Sequence, residues 1–251
     1  MGIYELVPLV GMLILLGLEP VIGRNRLQHS RLDRWSNNVG LAFINETLRF
    51  IFPVGLALIA VEMPWPGLNA EALGPIWGAV LAFFLMDFCL YWLHRASHSL
   101  GWLWRLHRLH HTDLDVDLTT NFRHHPGEVW INLMVISGFV GLLGFTPAHL
   151  LPYLLVQRCM SLLSHSNVAL PAELERQIAG LLVTPRVHQI HHSAFQPETD
   201  SNYGQVFTLW DRLFRTYISP DTVPCPARFG LEQFRASEDQ RLAALLSQPM
   251  R

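Results

Sequence analysis

Four long apolar segments constrain the fold of this 251-residue chain more than any other feature. A helix that crosses a bilayer needs about 20 mainly apolar residues. Only 15% of the residues are charged, against about 25% in soluble domains. The composition therefore disfavours a water-exposed globule and predicts an all-α, integral-membrane helical bundle. The segments occupy residues 6–22, 39–61, 73–93 and 129–155.

The first three segments have the length of single spans, whereas the fourth is too long for one helix. Gly144 and Pro147 interrupt it, so we expect a helical hairpin of about 129–145 and 147–164. The alternative is the buried core of a soluble helical bundle, but four such segments exceed what a core of this size uses. The first segment lacks a basic leader and a cleavage site, which favours an uncleaved helix over a signal peptide.

The distribution of arginine predicts the orientation of the bundle. The chain has no lysine, and the loop after the first segment carries Arg24, Arg26, Arg31 and Arg34, whereas residues 62–73 carry no arginine. The positive-inside rule then places the first loop in the cytoplasm. Following the spans onward, we expect a cytoplasmic helical cap that carries every histidine cluster, and a cytoplasmic C-terminus. The expected location is a bacterial inner membrane, with several membrane passes.

We expect a single domain over residues 1–251, with a motif-bearing core at about 80–217 and a cytoplasmic tail at 219–251. Residues 237–240 form a capping box, which predicts a short amphipathic helix containing Leu242, Leu245 and Leu246. Three well-separated cysteines argue against a disulfide framework or a thiolate zinc site. The net charge of −2 gives no reason to expect nucleic acid as a partner.

Thirteen histidines carry the chemistry, and eight of them form three clusters. His94 and His98 form an HxxxH motif, and two HxxHH motifs begin at His107 and His188. Residues at i, i+3 and i+4 share a helix face, so each cluster should point its imidazoles at one spot. Neutral imidazole is the commonest metal ligand, and Zn, Cu, Fe and Ni all accept it.

The number of histidines exceeds what one metal ion needs, because a four-coordinate site takes four ligands. Two metal ions with four or five ligands each fit the count. His124 is expected to point away, as one member of an adjacent pair, and His29 and His149 are expected to be structural. The ten candidate ligands are His94, His98, His107, His110, His111, His125, His165, His188, His191 and His192.

Asp87 extends the first cluster along one helical stripe with Tyr91, His94 and His98. A carboxylate inside a span is costly and usually functional. We expect Asp87 to accept the N–H of a ligand imidazole and so fix its tautomer; a hydrogen bond within the bundle is the alternative. Tyr91 on the same stripe, and Asn167 beside His165, are candidates for a similar supporting role.

Other cofactors and reactions fit the pattern less well. A bis-histidine haem needs two imidazoles and leaves six or more histidines unexplained. Zinc peptidases pair their histidines with a glutamate base in HExxH, and neither HxxHH motif contains an acid. An all-nitrogen site for two metals favours redox chemistry with O2. A metal-dependent lipid hydrolase and a non-catalytic membrane protein that binds metal or lipid remain the alternatives.

Seven motifs follow one another along the chain: Asp87-x-x-x-Tyr91-Trp-x-His94-Arg-x-x-His98, Trp104-x-x-His107-x-x-His110-His111, Arg123-x-His125-Pro126-x-Glu128, His165-Ser-Asn167, Thr184-Pro-Arg-x-His188-x-x-His191-His192, Asn202-Tyr-Gly204 and Trp210-Asp-x-Leu-Phe214-x-Thr-Tyr217. Their order resembles the fatty acid hydroxylase superfamily, also called the sterol desaturase family. The resemblance runs from about residue 80 to 217 and implies an integral-membrane, non-haem di-iron enzyme with a lipid substrate.

The resemblance also implies two iron ions, O2 as co-substrate and oxidation of a lipid C–H bond, with hydroxylation favoured over desaturation. The chain has no dinucleotide fingerprint and no CxxCH motif, so electrons must come from a separate reductase, ferredoxin or cytochrome b5-like carrier. An acyl chain, a sterol or an ether lipid would fit an apolar groove. Some members carry a histidine four residues before the one that matches His165; Ser161 stands there, which leaves the tenth ligand open between none and His125.

Overall fold

The computed structural model describes residues 2–62 and 69–251, and the side chains of residues 52–62 and 71 are outside that description. The described part is helical, with isolated β-bridges and no strand. This confirms the all-α prediction. The helices are α1 Ile3–Ile22, α2 Arg31–Glu62, α3 Gly74–Ser99, α4 Gly101–His111, α5 Pro126–Leu143, α6 Pro147–His165, α7 Ala172–Ala179, α8 Pro185–His191, α9 Gln196–Thr199, α10 Leu209–Leu213 and α11 Leu242–Ser247, with 3-10 turns at Ala70–Leu73, Leu118–Phe122 and Gln248–Met250.

Among the described residues, helices α1, α3 and α5 are long and apolar enough to cross a membrane. The predicted segment 39–61 lies within α2, and half of the predicted connector 62–73, residues 63–68, lies outside the described residues. The predicted break in the fourth apolar segment is also present. Gly144 ends α5 with a φ of +67°, a conformation that favours glycine, and Pro147 opens α6.

Helix α3 lies at the centre of the bundle and contacts α4, α5 and α6. Helix α1 packs on α6, and α2 packs on α5. Met86 of α3 and Tyr153 of α6 join the buried Val206 in one apolar cluster. This contact brings the segment after α9 against the central helix, and both histidine-rich ends of α3 and α6 come to lie at the same end of the bundle.

Buried polar contacts attach the start of α2 to the segment after α4. Arg34, which is 5% exposed, donates to Asp113 at 2.7 and 2.9 Å and to Asp117 at 2.7 Å. Burial alone would raise the pKa of Asp113, but the guanidinium groups of Arg34 and Arg123 hold it below its ordinary value. The pair therefore stays ionised, and it fixes the loop that follows the second histidine cluster.

The C-terminal tail docks on the bundle, and its helix begins later than the capping box predicts. Leu245 is buried against Leu41 and Leu109. Helix α11 starts at Leu242 because Gln240 directs its side-chain amide to Phe234 and Arg123 rather than to a helix N-terminus. The tail thus covers the outer face of α4, opposite the side that carries the histidines His107 and His111.

The Arg34 cluster gives a first prediction. Arg34→Gln leaves the buried carboxylates of Asp113 and Asp117 without their cation, and breaking such a pair typically costs about 3–5 kcal/mol. We expect the free energy of unfolding in detergent to fall by that amount, measured by denaturant titration. The exposed Arg26 is the control, because Arg26→Gln should change stability by less than about 0.5 kcal/mol. Equal effects of the two substitutions would contradict the structural role of Arg34.

Candidate metal centre

Four helices bring nine of the ten predicted ligands together. The last turns of α3 and α6 supply His94, His98 and His165, and the short helices α4 and α8 carry the two HxxHH motifs. Helix α8 is positioned by Thr184, whose side chain accepts from the backbone N–H of Val187 and caps the helix. The nine imidazoles form two groups, within each of which the ligand nitrogens all lie within 4.8 Å of one another. The five-histidine group is His94, His98, His107, His111 and His191, and the four-histidine group is His110, His165, His188 and His192.

Each HxxHH motif is divided between the two groups, so the prediction that each cluster points its imidazoles at one spot is wrong for these two motifs. His107 and His111 of α4 belong to the five-histidine group, and His110 belongs to the other. Helix α8 does the converse, giving two rings to the four-histidine group and His191 to the five-histidine group. The two groups adjoin where the rings of His111 and His192 stack, with their centroids 4.7 Å apart. The i and i+4 side chains point one way and the i+3 side chain another, because successive positions are rotated around the helix axis.

The separations between nitrogens suit metal coordination. The Nε2 atoms of His107 and His111 are 3.2 Å apart. In the four-histidine group, Nε2 of His165 lies 3.1 Å from that of His110 and 2.9 Å from that of His188. Two nitrogens bound side by side to one metal at about 2.1 Å lie about 3.0–3.4 Å apart. The rings therefore already have the spacing of a shared metal ligand set.

Orphaned nitrogens support the same assignment. The Nε2 atoms of His94, His98 and His191 are buried and have no hydrogen-bond partner in the described part of the chain. Buried polar atoms are almost always paired, so each such atom requires an explanation. A metal ion would accept all three lone pairs at once, and an all-nitrogen donor set fits iron, zinc, copper or nickel.

The opposite nitrogens of these rings are held by the protein. Nδ1 of His94 donates to the Tyr203 carbonyl at 2.9 Å, and Nδ1 of His191 donates to the Ser201 carbonyl at 2.7 Å. Nδ1 of His98 lies 3.3 Å from the Asp200 carboxylate. A donor contact at Nδ1 leaves the Nε2 lone pair free for a metal and fixes the ring orientation.

The electrostatic environment keeps the rings neutral. Burial, with smaller contributions from neighbouring imidazoles, holds the pKa of His110, His111 and His192 well below the ordinary value. Burial also lowers the pKa of His191 to about 3, although its bond to the Ser201 carbonyl opposes the shift. Neutral imidazole is the form that binds metals, so the site is prepared for ligation at physiological pH.

Glu128 was not among the predicted site residues, and the expectation that His124 points away is wrong, because both residues lie beside the candidate metal centre. Glu128 is buried and accepts from Nδ1 of His107 at 2.8 Å and from Nδ1 of His124 at 3.2 Å. The His124 ring stacks on His110 at 4.4 Å. Glu128 is the last residue of the sequence motif 123–128. No local pattern, however, distinguishes a carboxylate that accepts from an imidazole from one that faces solvent.

His125 lies outside both groups, unlike the prediction. Its Nδ1 accepts from the backbone N–H of Gly127 and caps α5, and its Nε2 is 3.1 Å from the Leu246 carbonyl. Both ring nitrogens are thus used for structure. His29 and His149 also lie apart from the groups, with His29 against Asp115 and His149 bonded to the Thr146 N–H.

Asp87 does not contact a ligand imidazole, which corrects its predicted role. Its oxygens accept from the backbone N–H groups of Val206 and Phe207 at 3.0 and 3.3 Å, from Tyr153 at 3.2 Å and from Trp210 at 2.9 Å. The carboxylate is fully used as an anchor for the segment that supplies the Tyr203 carbonyl. Its effect on the metal centre is therefore indirect, through that segment.

Tyr91 continues the same anchoring, and Asn167 acts elsewhere. The Tyr91 hydroxyl is 2.9 Å from Thr216 Oγ1 and contacts no imidazole. Asn167 bonds through its side-chain amide to the backbone N–H and carbonyl of Asn25, and so attaches the end of α6 to the loop after α1. All four residues of the predicted stripe on α3 contact the segment 200–216. His94 and His98 also contact the histidines of α4 and α8, and Asp87 also accepts from Tyr153.

A cavity of about 590 Å³ extends from the two histidine groups into the bundle. His94, His107, His110, His165 and His188 lie at one end of it. Beyond them the wall is largely apolar, with side chains from five helices. The volume is typical of a site for a drug-sized or lipid-sized molecule. The apolar lining includes Pro8, Leu9, Met12, Met86, Leu90, Leu133, Ile136, Leu154 and Leu162.

The chain is similar in sequence to several known proteins. An ornithine lipid hydroxylase, OlsE, of Rhizobium tropici is 31% identical over 67% of this chain, and human alkylglycerol monooxygenase is 31% identical over 56% of it. A Delta(7)-sterol 5(6)-desaturase of Aspergillus fumigatus is 28% identical over 54% of the chain. The aligned parts cover 51%, 31% and 37% of these relatives, so the chain spans about half their length or less. No solved structure matches it.

The model of one family covers the region that carries the metal centre. It matches residues 79–216, from the first turns of α3 to the segment that anchors Asp87 and Tyr91, and includes all nine clustered histidines. More than half of the sequence is therefore accounted for by a single family description, in the range that the motifs predict. The chain belongs to the fatty acid hydroxylase family.

Proposed function

We propose that this chain is a membrane-bound, non-haem di-iron oxidoreductase that hydroxylates a lipid C–H bond with O2. The observation that carries the proposal is a cluster of nine imidazoles, five of which line a cavity whose wall is otherwise largely apolar. The names of the relatives, a lipid hydroxylase and a monooxygenase, support hydroxylation over desaturation, although a desaturase is also among them.

We assign one iron ion to each histidine group. The five-histidine group and the four-histidine group adjoin, and both consist of histidines alone, with no carboxylate ligand. This donor set favours redox chemistry over hydrolysis, in which a glutamate base usually accompanies the histidines. When bound, the iron pair supplies the activation of O2 that an unreactive C–H bond requires.

The protein's own groups perform the remaining tasks. The carbonyls of Ser201 and Tyr203 and the carboxylate of Glu128 hold ligand rings by their second nitrogens, which fixes the tautomer. The apolar wall, from Met86 to Leu154, binds the lipid chain, excludes water and places a methylene group at the polar end. Electrons come from a separate reductase, ferredoxin or cytochrome b5-like carrier.

We also assign the metal centre and the C-terminus to the cytoplasmic side of a bacterial inner membrane. The support is the arginine-rich loop after α1, which lies at the same end of the structure as the histidines, since Asn25 bonds to Asn167. A soluble electron donor could reach the metal centre from that side. The lipid would be an acyl chain, a sterol or an ether lipid.

The proposed reaction predicts a specific product. Cells that produce the chain should contain a lipid that has gained one oxygen atom, and the atom should derive from isotopically heavy O2. Loss of two hydrogens instead would indicate desaturation. Lipid mass spectrometry with and without the chain makes the measurement, and metal analysis accompanies it. Zinc with turnover that needs no O2 would indicate a hydrolase, and absence of any product would indicate a binding role.

The assignment of ligands predicts the effect of single substitutions. His107→Ala and His191→Ala each remove one nitrogen from the five-histidine group, so we expect bound metal and activity to fall at least about tenfold. His125→Asn is the matched control, because asparagine retains the helix cap and His125 lies outside both groups. Its metal content should equal that of the unmodified chain. Loss of metal in His125→Asn would return His125 to the ligand set.

The proposed orientation predicts the response of reporter fusions. A cytoplasm-dependent reporter placed after residue 251 should be active, and the same reporter inserted between residues 62 and 72 should be inactive. The two positions serve as controls for each other, because they lie on opposite sides in the proposed topology. Activity of the reporter inserted between residues 62 and 72 would overturn the orientation without affecting the assignment of the metal ligands.

A further inference from the structure

One arginine lies within the most apolar part of the sequence. Arg158 is the only Asp, Glu or Arg between Glu128 and Glu173, and it lies on α6. It precedes His165 by seven residues, which is about 10 Å along a helix axis. Ionisable side chains in such segments are costly, and they face cavities where a partner can be found. Arg158 is an exposed residue, and it lines the cavity that ends at the histidines.

The other charged groups in the cavity wall have partners. Glu46 and Arg49 form an ion pair within α2. Glu128 accepts from His107 and His124. Arg158 has no ion pair, hydrogen bond or ring contact with any residue that the structure describes. It is therefore the charge in the cavity wall that the described chain leaves unmatched.

Two further polar side chains in the wall are unused. Asn132 of α5 and Gln157 of α6 line the same cavity, and neither makes a hydrogen bond within the described part of the chain. Their amides add N–H donors to the five of the Arg158 guanidinium. Planar guanidinium with amide donors matches the oxygens of a carboxylate or phosphate.

Two helices that line the cavity, α1 and α2, have little contact with each other over their described residues. Helix α1 packs on α6 and α2 packs on α5, whereas α1 and α2 share no comparable contact over their described residues. Both nevertheless line the cavity, α1 with Leu9 and Met12 and α2 with Ala42 and Asn45. The side of the cavity between them is thus the side at which a lipid from the membrane can enter.

We propose that Arg158, with Asn132 and Gln157, binds the anionic head-group oxygens of a lipid whose chain occupies the apolar part of the cavity. This inference rests on the proposed function and names its substrate class, a lipid with a carboxylate or phosphate group. The charge complements the unmatched guanidinium, and the apolar wall complements the chain. Arg158 is a specificity residue and takes no part in holding the metals.

The test compares two ligands that share one hydrocarbon chain and differ in the head group, a carboxylate in one and an uncharged alcohol in the other. The full chain, purified in detergent with its metals, is titrated with oleate and with oleyl alcohol, and binding is followed by native mass spectrometry. We expect the unmodified chain to bind oleate at least about tenfold more tightly. Arg158→Gln should abolish that preference and leave the affinity for oleyl alcohol unchanged, whereas Arg158→Lys should retain part of it. Arg176→Gln, an exposed substitution on α7 paired with Glu173, is the matched control.

Several outcomes would overturn the inference. The unmodified chain could bind both ligands equally, or Arg158→Gln could keep the preference for oleate. Displacement of oleate by millimolar inorganic phosphate would assign the site to a free anion instead of a lipid head group. The measurement requires no turnover, and metal content is determined on the same samples. Failure of the proposed oxygenase activity would therefore appear separately, as bound metal and bound oleate without product.

Discussion

The structure depends on the burial of nine imidazoles whose free nitrogens face one another. Without a metal, such a cluster would leave buried lone pairs with neither donor nor water, as at His94, His98 and His191, which is costly in a medium of low dielectric constant. Metal ions bound by the two groups, as we propose, would accept these lone pairs. The surrounding protein must hold the rings in place, as the carbonyls of Ser201 and Tyr203 and the carboxylate of Glu128 do.

The two helices that carry the HxxHH motifs, α4 and α8, each contribute ligands to both histidine groups. Each short helix gives its i and i+4 rings to one group and its i+3 ring to the other, in opposite proportions. Helix α3 then adds His94 and His98 to one side, and α6 adds His165 to the other. The unequal groups of five and four follow directly from the number of histidines that these two longer helices contribute.

The supporting contacts come from segments far away in sequence. Asp87 anchors the segment that follows α9 to the central helix, and that segment returns the carbonyls of Ser201 and Tyr203 to the ligand rings. On the other side, Arg34 fixes the loop after α4 through Asp113. The same bundle that supports the rings forms a cavity at their edge, so the candidate metal centre and the cavity arise from one packing arrangement.

The sequence by itself determined the class of fold, the apolar segments and the clustered ligands, because these depend on hydropathy and on helical spacing over a few residues. It indicated the hairpin break at Gly144 and Pro147 for the same reason. The tertiary structure decided which face of each HxxHH helix meets which group, since that depends on how α4 and α8 cross. It also decided that His124 lies beside Glu128, and that His125 directs its Nε2 at the carbonyl of Leu246, 121 residues away. The roles of Asp87 and Asn167 were likewise set by partners that no local pattern identifies, because a buried polar side chain bonds to whatever the fold places beside it.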